Sequence, residues 1–137
     1  AFLNIRKDHP GDHYIASDGI ITKSVTLDHL VLKHKLERVD FIKIDVQGAE
    51  SMVLRGCKQV IKKFSPILMI EIDQTSLHRH HTDVKTLISQ LSDLGYQFNI
   101  SVGKNLIQAI EPSKVQELAN VKDNYFDLIC LPQASIN

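Results

Sequence analysis

Two segments of this sequence put charge into runs that otherwise look made for burial. In FIKIDV, residues 41–46, Lys43 and Asp45 interrupt apolar residues, and in ILMIEID, residues 67–73, Glu71 and Asp73 close the run. Residues two apart in a strand point the same way, so Lys43 and Asp45 share a face. A buried charge is tolerable when it is paired, and Lys43 has candidate partners in Asp45, Glu50 and Glu71. Such a pair, with Lys43 and Glu50 as its structural members, would brace the sheet. Asp45 is different, because it ends its strand just before Gln47-Gly48, where the chain turns into a helix. Gly48 lets the backbone approach a ligand closely, or simply makes the turn. A carboxylate at a strand end can orient or deprotonate a hydroxyl. Three acids together can also hold a divalent cation through oxygen ligands. Farther on, LHRHH at 77–81 places His78, His80 and His81 in one segment. They read as bases, as metal ligands, or as solvated loop residues. His9, His13, His29 and His34 do not cluster.

The elements that must position these residues alternate in type. AFLNI reads as a strand, and HPGDH as a turn or loop. A helix is expected from Thr26, which can cap it, with Asp28 in its first turn and Leu27, Leu30, Val31 and His34 on one face. DFIKIDV is rich in β-branched residues and reads as a strand. From Gly48 the residues Ala49, Val53, Cys57, Val60, Ile61 and Phe64 follow one helical period, which Ser65-Pro66 ends. ILMIEI reads as a strand that is apolar on both faces, as in a buried parallel sheet. Val84, Leu87, Ile88, Leu91 and Leu94 form a helical stripe closed by Gly95. YQFNIS and FDLICL read as two further strands, with EPSKVQEL a short helix between them.

Strand–helix–strand alternation at this spacing argues for right-handed crossovers and a largely parallel sheet. Ligands of such sheets bind beyond the carboxyl ends of the strands. If the strands ending at Asp45 and Asp73 are neighbours, their acids share one rim.

Composition narrows the function classes. The chain has 137 residues, enough for a single core, and its 16 basic and 16 acidic residues cancel. No charge block suggests a nucleic-acid or membrane surface. PILMIEI is far too short to span a bilayer. The two cysteines, Cys57 and Cys130, read as buried thiols in a reducing, cytoplasmic compartment rather than as a disulfide framework.

VTLDHLV, then VDFIKIDVQGAESMVLRGCKQVI, then SPILMIEI resembles the C-terminal half of the FkbM family of S-adenosylmethionine-dependent methyltransferases. The family pattern has a Leu-Asp pair opening a helix, here Leu27-Asp28. Lys-Ile-Asp-Val-Glu-Gly-Ala-Glu follows, here Lys43 to Glu50, then Leu-x-Gly at Leu54 to Gly56 and a strand ending in Glu71. The match is dense from Val25 to Ile72, with one departure: Gln47 stands where the family usually has Glu, which removes a charge.

The resemblance implies a doubly wound, mostly parallel α/β sheet of the class I methyltransferase (Rossmann-like) type, with an antiparallel last strand. It implies that the first strand and its glycine-rich loop lie upstream of Ala1. Residues 1–137 then form the substrate-side part of one domain, lacking its N-terminal cofactor-binding strands. It further implies O-methyl transfer from S-adenosylmethionine to a small-molecule or saccharide hydroxyl. Asp45 would lie beside the transferred methyl as the catalytic residue, with Gln47 also against the cofactor, and Glu71, Asp73 and His78 would bind the acceptor. Two other readings stand beside it: a non-catalytic binding or scaffold module on half of the fold, and a metal-dependent hydrolase built on Asp45, Glu71, Asp73 and the histidines. The hydrolase is the weakest, since no tight ligand spacing such as His-Glu-x-x-His occurs.

Overall fold

A computed structural model describes residues 1–5, 13–102, 106–121 and 124–133. The turn expected at HPGDH falls largely outside them. The chain opens with three short antiparallel strands, β1 (Phe2–Asn4), β2 (Tyr14–Ala16) and β3 (Ile20–Ile21), with β1 in the middle. The expected strand at AFLNI is β1. The other two were not expected, because strands of three and two residues leave no readable alternation.

Helix α1 (Leu27–His34) starts where Thr26 accepts a hydrogen bond from the His29 amide, and ends at Lys35 in the left-handed region. Strand β4 (Phe41–Ile44) follows, then α2 (Glu50–Arg55) and α3 (Lys58–Phe64). One continuous helix was expected here, but it breaks at Gly56-Cys57. Neither residue caps α3 with its own side chain. The cap comes from far away: Asp28 accepts from the backbone amides of Gln59 at 3.2 Å and Val60 at 2.9 Å. The Asp28 amide in turn donates to the Gly56 carbonyl. These bonds hold α3 as a separate helix docked on α1.

The remainder is β5 (Ile67–Asp73), α4 (Gln74–Arg79), α5 (Val84–Asp93), β6 (Tyr96–Val102), β7 (Leu106–Ala109), α6 (Pro112–Ala119) and β8 (Tyr125–Pro132). Five strands form one mixed sheet in the order β4-β5-β8-β6-β7. Strands β4 and β5 pair in parallel, with Lys43 opposite Met69 and Ile44 opposite Ile70. Strand β8 runs antiparallel to both its neighbours, β5 and β6, and β7 runs antiparallel to β6. A mostly parallel sheet is therefore corrected to a mixed one: β4, β5 and β6 share a direction, but only β4 and β5 pair in parallel.

The layering also differs from expectation. Along β5, burial alternates: Leu68, Ile70 and Ile72 are fully buried, whereas Met69, Glu71 and Asp73 are half-buried. Ile44, Phe98, Leu128 and Cys130 lie on the same buried face, in one core with Val31, Leu54, Val60, Leu77, Leu87, Leu91 and Val115 from the six helices. The described helices thus cover one face of the sheet, and a doubly wound arrangement is not seen among these residues. The strand thought apolar on both faces is packed on one. Each fully buried Leu or Ile contributes about 1.5–3 kcal/mol relative to exposure. A one-residue slip of register would turn the whole set outward. Both thiols are buried and free, and burial pushes Cys57 up to about 11 and Cys130 up to about 12. No helix among the described residues is long and apolar enough to cross a membrane.

Candidate functional site

The parallel pairing of β4 and β5 puts their carboxyl ends side by side, and the acids do share one rim. The amide of Gln47 spans it. Its Nε2 donates to Glu71 Oε2 at 3.1 Å and lies 3.5 Å from Asp45 Oδ1. Gln47 reaches this position from a left-handed backbone conformation, φ 51°, in the turn after β4. Asp127 stands opposite Glu71 in the β5–β8 register and brings another carboxylate to the same open face.

The crowding changes the acidity of Glu71. Its carboxyl is pushed from an ordinary 4.5 up to about 7, first by burial, then by the negative charge of Asp45 and a hydrogen bond with it, then by Asp127 and Asp73. A half-buried acid among three other acids gives up its proton less readily, since ionising it adds like charge to a partly desolvated cluster. Asp45 also has a cation beside it. The Lys43 ammonium lies 3.2 Å from Asp45 Oδ2, and both side chains are substantially exposed, 51% and 36%. The hydrogen bond to Asp45 and its charge raise the pKa of Lys43.

Lys43 therefore pairs with Asp45 on the surface, which corrects the suggestion of a sheet-bracing pair between Lys43 and Glu50. Glu50 is 2% exposed and serves the backbone instead. Its Oε1 accepts from the Val46 amide at 3.3 Å and the Gly48 amide at 3.1 Å, so it holds the turn that carries Gln47. Gly48 is required by packing as well as by conformation. Its φ is 101°, and a Cβ there would sit 2.0 Å from the Ser76 carbonyl oxygen.

Asp73 has a structural role at this rim. It caps α4, accepting from the Thr75 amide at 3.0 Å and from the Ser76 hydroxyl. His78 is not in a loop but in the last turn of α4, where it pairs with the Gln74 amide at 3.0 Å. It lines a cavity of about 400 Å³ with Gln74, Thr75, Asn120 and Asn124, at the carboxyl end of β5. His80 ends α4 and packs over Gly48, while His81 takes a left-handed conformation, φ 55°. The acids and histidines do not converge: no group of three or more His, Cys, Asp or Glu among the described residues could hold a metal ion.

Asp45, Gln47 and Glu71 are thus brought together, while Asp73 and Glu50 do structural work and His78 lies one helix away. Sequence reasoning missed Asp127, whose only signal was its place in a strand not yet paired. Two larger cavities lie elsewhere. One of about 650 Å³ runs between α1 and α3, and one of about 830 Å³ borders α3 and the end of α5.

No curated protein and no solved structure matches the chain. Residues 1–98 match the Methyltransferase FkbM domain, and that span contains β4, β5 and the Asp45–Gln47–Glu71 rim. It stops before β8 and Asp127. With well over half of its residues inside the match, the chain belongs to the FkbM methyltransferase family.

Proposed function

We propose that this chain takes part in O-methyl transfer from S-adenosylmethionine to a hydroxyl of a small-molecule or saccharide acceptor, with Glu71 as the group that receives the hydroxyl proton. The observation that carries this reading is the Gln47 amide held between Asp45 and Glu71 at the carboxyl ends of two parallel strands. On this reading residues 1–137 are the C-terminal, substrate-side part of a doubly wound methyltransferase domain. The carboxylate of Asp45 and the amide of Gln47 fit the ammonium and hydroxyl groups of S-adenosylmethionine. When bound, that molecule supplies a sulfonium methyl, an electrophile whose bonding pair returns to sulfur on transfer.

The residues here then have to align and deprotonate the acceptor. The Glu71 carboxylate would take the proton of the acceptor hydroxyl as that oxygen becomes the nucleophile. A base is most effective when its pKa lies near the working pH, and Glu71 is pushed up to about 7. Asp45, paired with the Lys43 ammonium, orients the acceptor. His78 and the amides of Gln74, Asn120 and Asn124 suit the uncharged hydroxyls of an acceptor in the adjoining cavity.

The test uses the full-length protein, isotopically labelled S-adenosylmethionine and a panel of glycosides and other polyols. Label transferred to oxygen is expected, with a rate rising through about pH 7 as Glu71 ionises. Glu71→Gln should lower turnover by roughly a hundredfold or more and abolish that pH limb. Label on nitrogen or carbon, or a Glu71→Gln variant of normal rate, overturns the proposal.

A further inference from the structure

Beneath the rim lie two polar groups that the proposed chemistry does not use. Glu50 is 2% exposed, and only one of its oxygens is occupied; Oε2 is buried with no hydrogen-bond partner. The Nε2 of His80 is likewise buried and without a partner. A buried carboxylate oxygen and a buried ring nitrogen left unpaired are each costly. They converge on one residue. The Gly48 amide donates to Glu50 Oε1 at 3.1 Å, and the Cβ position of Gly48 is 2.8 Å from His80 Cδ2, the carbon bonded to Nε2. The two groups also sense each other. Burial lowers the pKa of His80, the Glu50 charge opposes this, and Arg79 and His81 lower it further. The Glu50 charge is therefore near enough to act on the His80 ring.

We infer that Glu50 and His80 form a positioning pair that sets Gln47 across the rim. One Glu50 oxygen accepts the Val46 and Gly48 amides, and the His80 ring turns its Nε2–H towards the other. Clamped on both sides, the turn holds Gln47 in its left-handed conformation, with its amide between Asp45 and Glu71. Neither residue touches the reacting atoms. The importance of the pair for turnover rests on the methyl-transfer reading, but its existence does not.

The experiment follows the His80 ring by nuclear magnetic resonance through a pH titration of the full chain, in the native protein and in Glu50→Gln. Loss of the facing charge should lower the His80 pKa by roughly one unit, and the Gln47 side-chain amide signal should shift. An unmoved His80 titration overturns the pair. Should Glu50→Gln fail to fold, His80→Gln decides: hydrogen exchange at Val46 and Gly48 should quicken by roughly tenfold while β5 stays protected. Unchanged exchange at those two amides overturns the proposal. If the native protein transfers no methyl group, the function reading fails, while these signals still decide the pair.

Discussion

The two faces of the five-stranded sheet are built from the same strands and share no purpose. On one, Ile44, Leu68, Ile70, Ile72, Leu128 and Cys130 lie under helices and carry the packing energy. On the other, Lys43, Glu71 and Asp127 stand among Met69 and Ile129, half open to solvent, with Phe41 54% and Tyr125 70% exposed. Every alternate residue changes side, so a single strand such as β5 serves both. The lesson is that titratable groups can be crowded until their acidity changes without weakening the core, because the core is one pleat away.

The largest expected effect tests that separation directly. Ile70→Ala on the covered face should cost about 2–5 kcal/mol, through lost burial and the cavity left behind. Met69→Ala, its neighbour on the open face, should cost about 1 kcal/mol. Denaturant unfolding of both variants measures the contrast. Equal losses would mean that the open face is covered in solution.

A smaller effect concerns pH. Folding makes Glu71 hold its proton more tightly than the unfolded chain does, from an ordinary 4.5 to about 7. The native state thus binds more protons between those values, and its advantage, full below 4.5, is lost as pH rises through about 7. Melting temperatures across this window should fall more steeply for the native protein than for Glu71→Gln, which cannot ionise. Identical pH slopes would remove Glu71 from the crowded cluster.

The smallest effect sharpens the contrast from the surface. Lys43→Met deletes one partner of an exposed pair, for which solvent screening leaves little net gain. Thermal melting should show no resolvable change. A clear loss of stability would mean that the Lys43–Asp45 pair is less solvated than its exposure indicates.

The rim was legible in the sequence because it follows from a rule of topology: once Asp45 and Glu71 end neighbouring parallel strands, they must meet. The roles of individual acids were less legible. Asp73 and Glu50 bind backbone amides, and any acid near a helix start can do so without leaving a mark in spacing. The segment LHRHH hid α4, although Asp73 with Thr75 and Ser76 after it is a serviceable capping signal. The break between α2 and α3 was illegible for a different reason. Its cause, Asp28, lies 31 residues from the amide it binds, and a local period cannot register a cap supplied by another helix.

That distant cap also decides how the molecule can come apart. With Asp28 anchored in α1 and bonded to the first amides of α3, neither helix can peel away alone without stranding the donors of the other. Strand β4 lies between them in sequence and has no neighbour on its outer side among the described residues. The stretch from Thr26 to Phe64 is therefore expected to open as one cooperative unit, a foldon whose amides exchange together. A free sheet edge of this kind invites pairing with another chain when it frays. Here its fraying is tied to the release of two helices, so one carboxylate in α1 guards an edge that it never touches.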